Sequence, residues 1–241
     1  MDHRLDGAAG VVRPLTAGRS LPHSWNLSPT EAVALQRRLA IDVVREDRFG
    51  PINRVAGVDV GYGKRGADAR AAVVVLDFAD LAVVESATAS RAATFPYVPG
   101  LLSFREAPVA IEALGKLRVR PDLLLCDGQG IAHPRRLGIA SHLGLLLDIP
   151  SIGVAKSRLI GTHDEPGPHR GDWMPLVNKG EVIGAVVRTR PGTKPIYVSI
   201  GHRVGLDTAI ALMMRCTTRF RLPETTRAAD RLSKVPAVPR R

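Results

Sequence analysis

Cysteine is nearly absent from this 241-residue sequence, which contains only Cys126 and Cys216. Two thiols so far apart exclude a disulfide framework and a zinc site, which needs about four ligands at short spacing. They fit a reducing compartment. Long apolar runs are also missing. No stretch of about 18 apolar residues could cross a bilayer, and the start, Met-Asp-His-Arg-Leu-Asp-Gly, lacks the apolar core of a signal peptide. The expectation is a soluble, cytoplasmic protein with no membrane partner. No repeats are found. Acids are in deficit, 23 Asp plus Glu against 34 Lys plus Arg for a net charge of +11. That balance favours polyanion partners, nucleic acid first. What the chain does have is enough apolar residues, 45%, to bury one sizeable core, so a single domain is expected.

Residues Met1 to about Asn26 mix Gly, Pro, Ser and charge without apolar periodicity and read as a flexible extension. Ser28-Pro29-Thr30-Glu31 is a helix start with a capping box, followed by Ala32, Leu35, Leu39 and Val43 at helical spacing. Val55–Val60, Ala71–Asp77 and Leu81–Ala87 are β-branched runs divided by turns, which predicts a three-stranded antiparallel meander. Phe104–Leu117 reads as an amphipathic helix with Glu106 in its first turn. Leu123–Cys126, a helix over Arg136–Leu147 and Ser151–Val154 then alternate, which implies parallel pairing. Val182–Arg188 and Ile196–Ile200 read as later strands and Leu206–Cys216 as a helix. The folded domain is expected over residues 27–222, leaving a Pro- and Arg-rich tail from 223; Thr225–Arg241 reads as disordered or as an auxiliary polyanion contact.

The run Pro121-Asp-Leu-Leu-Leu-Cys-Asp-Gly-Gln-Gly-Ile-Ala-His-Pro-Arg-Arg-Leu-Gly138 is the most informative. An apolar strand delivers Asp127 to its end, Gly128 and Gly130 let backbone approach a ligand, and His133, Arg135 and Arg136 add positive charge. Asp59 closes the first strand, Glu106 opens a helix, and Asp127 closes the fourth strand. Any one of these acids reads as a cap or turn residue. Brought together, they would repel one another unless a hard divalent cation or protonation offset their charge. A meander followed by a parallel strand, with acids at these positions, matches a ribonuclease H-like α/β fold: a mixed sheet with flanking helices in one domain. Cys126 reads as a small buried hydrophobe. Pro96-Tyr97-Val98-Pro99 by itself is a rigid surface turn, and His133 could contact a phosphate or stabilise its own loop.

The blocks Val55–Tyr62, Phe95–Glu106, Asp127–Gly144, Gly153–Lys156 and Ser199–His202 resemble, in order, the signature blocks of endonuclease V. The similarity runs from about residue 28 to 220. It implies a repair nuclease that nicks a strand at the second phosphodiester bond 3′ to inosine, in DNA or possibly in RNA. No long apolar surface stripe is evident in the sequence, so a monomer is expected. The resemblance also implies that Asp59, Glu106 and Asp127 bind magnesium, with manganese as a substitute, and that Lys156 and His202 lie beside the scissile phosphate as further catalytic residues. Pro96, Tyr97, Val98 and Pro99 would be the strand wedge, with Val98 where many members carry Ile. Gly100, Leu102, Gly128 and Gly130 would line the pocket for the flipped base, and His133 would contact a phosphate.

Two rival readings stand beside this one. Gly57-Val58-Asp59-Val60-Gly61 resembles the phosphate loop of sugar kinases and actin-like ATPases, but those proteins need two such domains and this chain has length for one. A non-catalytic nucleic-acid-binding module of the same fold would retain affinity without metal and would not need the three acids.

Overall fold

Ser28 caps the first helix as its sequence predicts. Its N–H donates to Glu31 Oε2 at 2.7 Å, and the Glu31 N–H donates to Ser28 Oγ at 3.3 Å, which satisfies two free amides of the helix start. The computed structural model describes residues 23–63 and 68–234. After this helix, α1 (Pro29–Leu39), come strands β1 (Arg54–Tyr62), β2 (Asp68–Asp77) and β3 (Val83–Ala92) and helix α2 (Leu102–Leu114). Strand β4 (Leu123–Asp127), helix α3 (Ile139–Leu147) and strand β5 (Ser151–Ala155) follow. The last elements are β6 (Trp173–Asn178), β7 (Glu181–Val187), β8 (Ile196–His202), α4 (Leu206–Arg215) and α5 (Glu224–Ser233).

The eight strands form one sheet in the order β3-β2-β1-β4-β5-β8-β7-β6. The meander is antiparallel as expected, and β4 lies parallel to β1 and β5 parallel to β4. This is the ribonuclease H-like arrangement. Beyond β5 the pairing becomes antiparallel. The central strands are apolar on both faces because both are covered: residues of α2 and α3 pack on one side, residues of α4 and α5 on the other. Leu35 and Leu39 of α1 join Phe104 and Leu137 in a third apolar cluster. Among the described residues no helix is long and apolar enough to cross a membrane.

Several boundaries differ from expectation. α2 starts two residues earlier than the pattern suggests, so Glu106 lies in its second turn, buried. α3 begins at Ile139 instead of Arg136 because Arg136 has φ +59°, which no helix interior tolerates. Strand β6 was not foreseen; Pro175 breaks its pattern, and it is accommodated because β6 is an edge strand.

The larger correction concerns the ends. Residues 224–233, expected within a disordered tail, form α5, and its Ala229 is fully buried among residues of β1, β2 and β4. A Cβ on Gly57 would lie 2.0 Å from the Thr225 carbonyl oxygen, so the bare backbone of β1 is what lets this helix seat. Likewise His23 and Trp25, expected in the flexible extension, pack against the body. His23 Nε2 is 3.0 Å from His142 Nε2, and the Trp25 and Phe104 rings meet edge to face. Residues 1–22 of the expected extension and 235–241 of the expected tail lie outside the described residues.

Candidate active site

β1 and β4 run side by side and deliver Asp59 and Asp127 to the same end of the sheet, since Val58 pairs with Cys126. Asp230, on the buried helix α5, completes a group: one carboxylate oxygen from each of Asp59, Asp127 and Asp230 lies within 4.8 Å of the others. Sequence reading missed Asp230 because it lay in the stretch assigned to disorder. Its one signal was the stripe Thr225, Ala229, Ser233 at four-residue spacing, small residues that carry little apolar weight.

Each acid is tuned by its neighbours. Burial, aided by the charges on Asp127 and Asp230, pushes Asp59 up to about 6 against the pull of a hydrogen bond from Ser233 Oγ at 2.6 Å. Burial pushes Glu106 up to about 8, with Asp59 and Asp127 adding to the effect. Glu106 accepts from the Tyr62 hydroxyl at 3.2 Å, and the Arg105 guanidinium sits 5.0 Å above the Tyr62 ring. Asp230 goes the other way: a hydrogen bond from Lys234 at 2.6 Å and the nearby Lys156 hold its carboxyl below the usual range. Lys156 donates to Asp127 Oδ2 at 2.6 Å and reaches Asp230 at 3.4 Å. Burial works against its charge, but these carboxylates keep its pKa above normal. Three acids that meet, with a fourth beside them, form an oxygen donor set suited to a divalent cation such as magnesium, and Lys156 and Lys234 offset part of their charge.

A cavity of about 400 Å³ opens beside Asp127 and Lys156, bordered by Tyr97, Val98, Pro99, Gly100, Leu102 and Gly128 among others. Tyr97 stands over it, 74% exposed. The turn that carries Tyr97 is anchored at one atom: the Gly100 carbonyl accepts from Gln36 Nε2 (3.1 Å), His133 Nε2 (2.9 Å) and Arg135 Nη2 (2.6 Å). Gly100 adopts φ +77°, and a Cβ there would lie 2.8 Å from that guanidinium, so glycine is required. Gln36, from α1, was not foreseen as part of this anchor.

Four expectations change. His202 is not beside the acids. The register sets it opposite Ser151, at the start of β5, whereas Asp127 pairs with Val154 near its end, roughly 10 Å along the strand. There its Nδ1 accepts from the Val44 N–H at 3.2 Å, and burial lowers its pKa. Gly130 lies under the cavity instead of lining it, because a Cβ would meet the Ile200 carbonyl at 2.0 Å; its glycine serves strand packing. His133 borders the cavity but is buried with both ring nitrogens engaged. Nδ1 accepts from the Arg135 N–H at 3.2 Å, so Nε2–H donates to Gly100, and burial brings its pKa down to about 4. In this position its neutral ring braces the 96–99 turn. Pro96 flanks the turn without bordering the cavity.

A family model described as Endonuclease V matches residues 37–231, a span that takes in Asp230. Endonuclease V of Roseiflexus sp. (strain RS-1) is 58% identical over 222 residues, covering 92% of this chain and 99% of the relative. The crystal structure of Endonuclease V from Streptomyces avermitilis superposes with TM-score 0.84 at 46% identity, covering 89% of this chain and 95% of that one. Endonuclease V of Ciona intestinalis, solved in complex with a 24mer DNA containing an inosine followed by a ribo-adenosine, gives TM-score 0.75 at 32% identity over 85% of this chain and 95% of that one. A likeness to A. aeolicus Argonaute, TM-score 0.50 at 14% identity, concerns the fold alone. With the carboxylates, Lys156 and the 96–99 turn all inside the matched span, the chain belongs to the Endonuclease V family of phosphodiester-cleaving nucleases.

Proposed function

We propose that the chain is a magnesium-dependent DNA-repair endonuclease that nicks a strand at the second phosphodiester bond 3′ to deoxyinosine, leaving a 3′-hydroxyl and a 5′-phosphate. The observation that carries this is the meeting of two features at Asp127 and Lys156: the acid cluster on one side and a base-sized cavity beneath Tyr97 on the other. A cavity of about 400 Å³ falls in the range of small-ligand sites, and the related Ciona protein is seen with inosine-containing DNA.

The residues divide the work. Tyr97, stiffened by Pro96 and Pro99 and seated by Gly100, fills the gap in the stack as the base turns out. Gly100, Leu102 and Gly128 then meet the base, with backbone groups available to hypoxanthine's edge. Asp59, Asp127 and Asp230, with Glu106 beside them, would hold the divalent cation, which when bound activates water and neutralises charge on the transferring phosphoryl group. Lys156, fixed by Asp127, offers a cation to the developing negative charge without reorganisation. Manganese meets the same donor requirements.

The test uses single- and double-stranded oligonucleotides, in DNA and RNA, each with one inosine or an adenine in its place, with and without magnesium, alongside Asp59→Ala. The expected result is a nick that needs both inosine and magnesium, falls at the second bond 3′ and is lost in Asp59→Ala. Preference for the RNA series would make the chain an inosine-specific endoribonuclease. Binding with no cutting under any condition would sink the catalytic reading and leave a nucleic-acid-binding module.

A further inference from the structure

The cleft does not end at the acids. A groove of about 900 Å³ continues from Asp59 and Asp230 past the ends of β1, β2 and β3 and is separate from the cavity beneath Tyr97; Lys156 borders both spaces. Arg70 and Arg91 line this groove. In the β1–β2 register Asp59 faces Ala72 and Gly61 faces Arg70. Asp59 and Arg70 therefore share one sheet face, diagonal to each other at about 7–8 Å between backbones. Ser90 lies opposite Arg70 and extends that face onto β3, while Arg91, opposite Ala69, belongs to the other face and borders the groove at the end of the strand.

These two arginines differ from others around the cleft. Arg105, Arg135 and Arg221 are committed to the backbone carbonyls of Phe95, Gly100 and Lys156. Arg70 buries its Nε without a hydrogen-bond partner, and neither Arg70 nor Arg91 has an ion pair among the described residues. A partly desolvated guanidinium with no counter-ion is costly unless a ligand brings one, and its planar fork of donors suits a phosphodiester.

We propose that Arg70 and Arg91 form a phosphate-binding subsite for the strand on the 3′ side of the cut, the segment that leaves with the new 5′-phosphate. This rests on the functional reading above. With the flipped base under Tyr97 and the cut two bonds toward 3′, the strand passes the acids in the 5′-to-3′ direction and emerges into this groove.

The experiment uses single-stranded inosine DNA with a constant 5′ arm and a 3′ arm lengthened one nucleotide at a time. In the wild type, kcat/KM rises as the first nucleotides beyond the cut are added, by about tenfold, the worth of one charge-assisted contact. In Arg70→Gln/Arg91→Gln the rise disappears, whereas lengthening the 5′ arm affects both proteins equally. Binding measured without divalent metal against salt concentration loses about 1.4 from its log–log slope, about 0.7 for each of two single-strand phosphates; Arg70→Lys keeps its share. A wild type indifferent to the 3′ arm, or a double variant with an unchanged slope, overturns the subsite. If the wild type does not cut inosine substrates at all, the functional reading has failed, and the salt slope on the two arms still decides the subsite.

Discussion

Asp230 is the residue whose role depends most on its neighbours. It shares a 4.8 Å cluster with Asp59 and Asp127 and keeps its charge through Lys156 and Lys234. Asp230→Asn removes one oxygen charge from that set with little change in volume. The expectation is a loss of nicking of about 100-fold or more, together with a smaller rise in melting temperature on adding magnesium than the wild type shows. A variant that still gains full thermal protection from magnesium would show that Asp230 is not part of the cation site. Asp59, Asp127 and Glu106 could be singled out in the sequence because strand ends and a helix start mark them, whereas Lys156 was indicated only by the resemblance to the family. His202 was misplaced because a histidine after a strand carries no sign of which sheet end it occupies; only the antiparallel register of β5 and β8 shows that.

Among the elements, α5 shows how little apolar signal a functional helix can carry. It is held by small residues, Thr225, Thr226, Ala229 and Ser233, against β1, and it brings Asp230 to the site and Ser233 to Asp59. Gly57→Ala would drive a methyl into the Thr225 carbonyl. Overpacking of this kind costs about 1–3 kcal/mol, read by chemical denaturation, and displacement of α5 should also weaken magnesium binding in calorimetry. Unchanged stability and unchanged magnesium affinity would mean that α5 does not depend on this contact. The strongly periodic or β-branched elements, α1, β1, β2, β4 and β5, could be read directly from their residues. β6 could not, because Pro175 breaks its pattern and only its edge position makes the proline tolerable.

Across the whole molecule, four carboxylates meet at one spot in a chain of net charge +11, and this has a pH consequence. Glu106, raised to about 8 from an ordinary 4.5, binds a proton in the folded state that the unfolded state has released. Stability therefore falls as pH rises from about 4.5 to about 8 on its account. His133, lowered to about 4, acts in the opposite sense and adds stability up to its ordinary value of 6.5. Burial also lowers His23, His142 and His202, and all four histidines still lose protons in the unfolded chain around pH 6.5 to 7.5, so the Glu106 contribution is isolated by comparison with Glu106→Gln. In chelator, the unfolding free energy of the wild type relative to Glu106→Gln should decline by about 1 kcal/mol per pH unit between 6.5 and 8. Magnesium should abolish that relative decline; a difference that stays constant across the window in metal-free protein would disprove it. The sequence by itself determined the ribonuclease H-like core and three of the four acids, because strand periodicity and acids at the ends of elements are local patterns, and it indicated the family through the resemblance of its signature blocks. The tertiary structure decided that Asp230 joins the cluster, that His202 stands at the far end of the sheet and that His133 is a neutral brace. Those depend on register, on helix packing through small residues and on burial, which bring together groups that are distant in the chain.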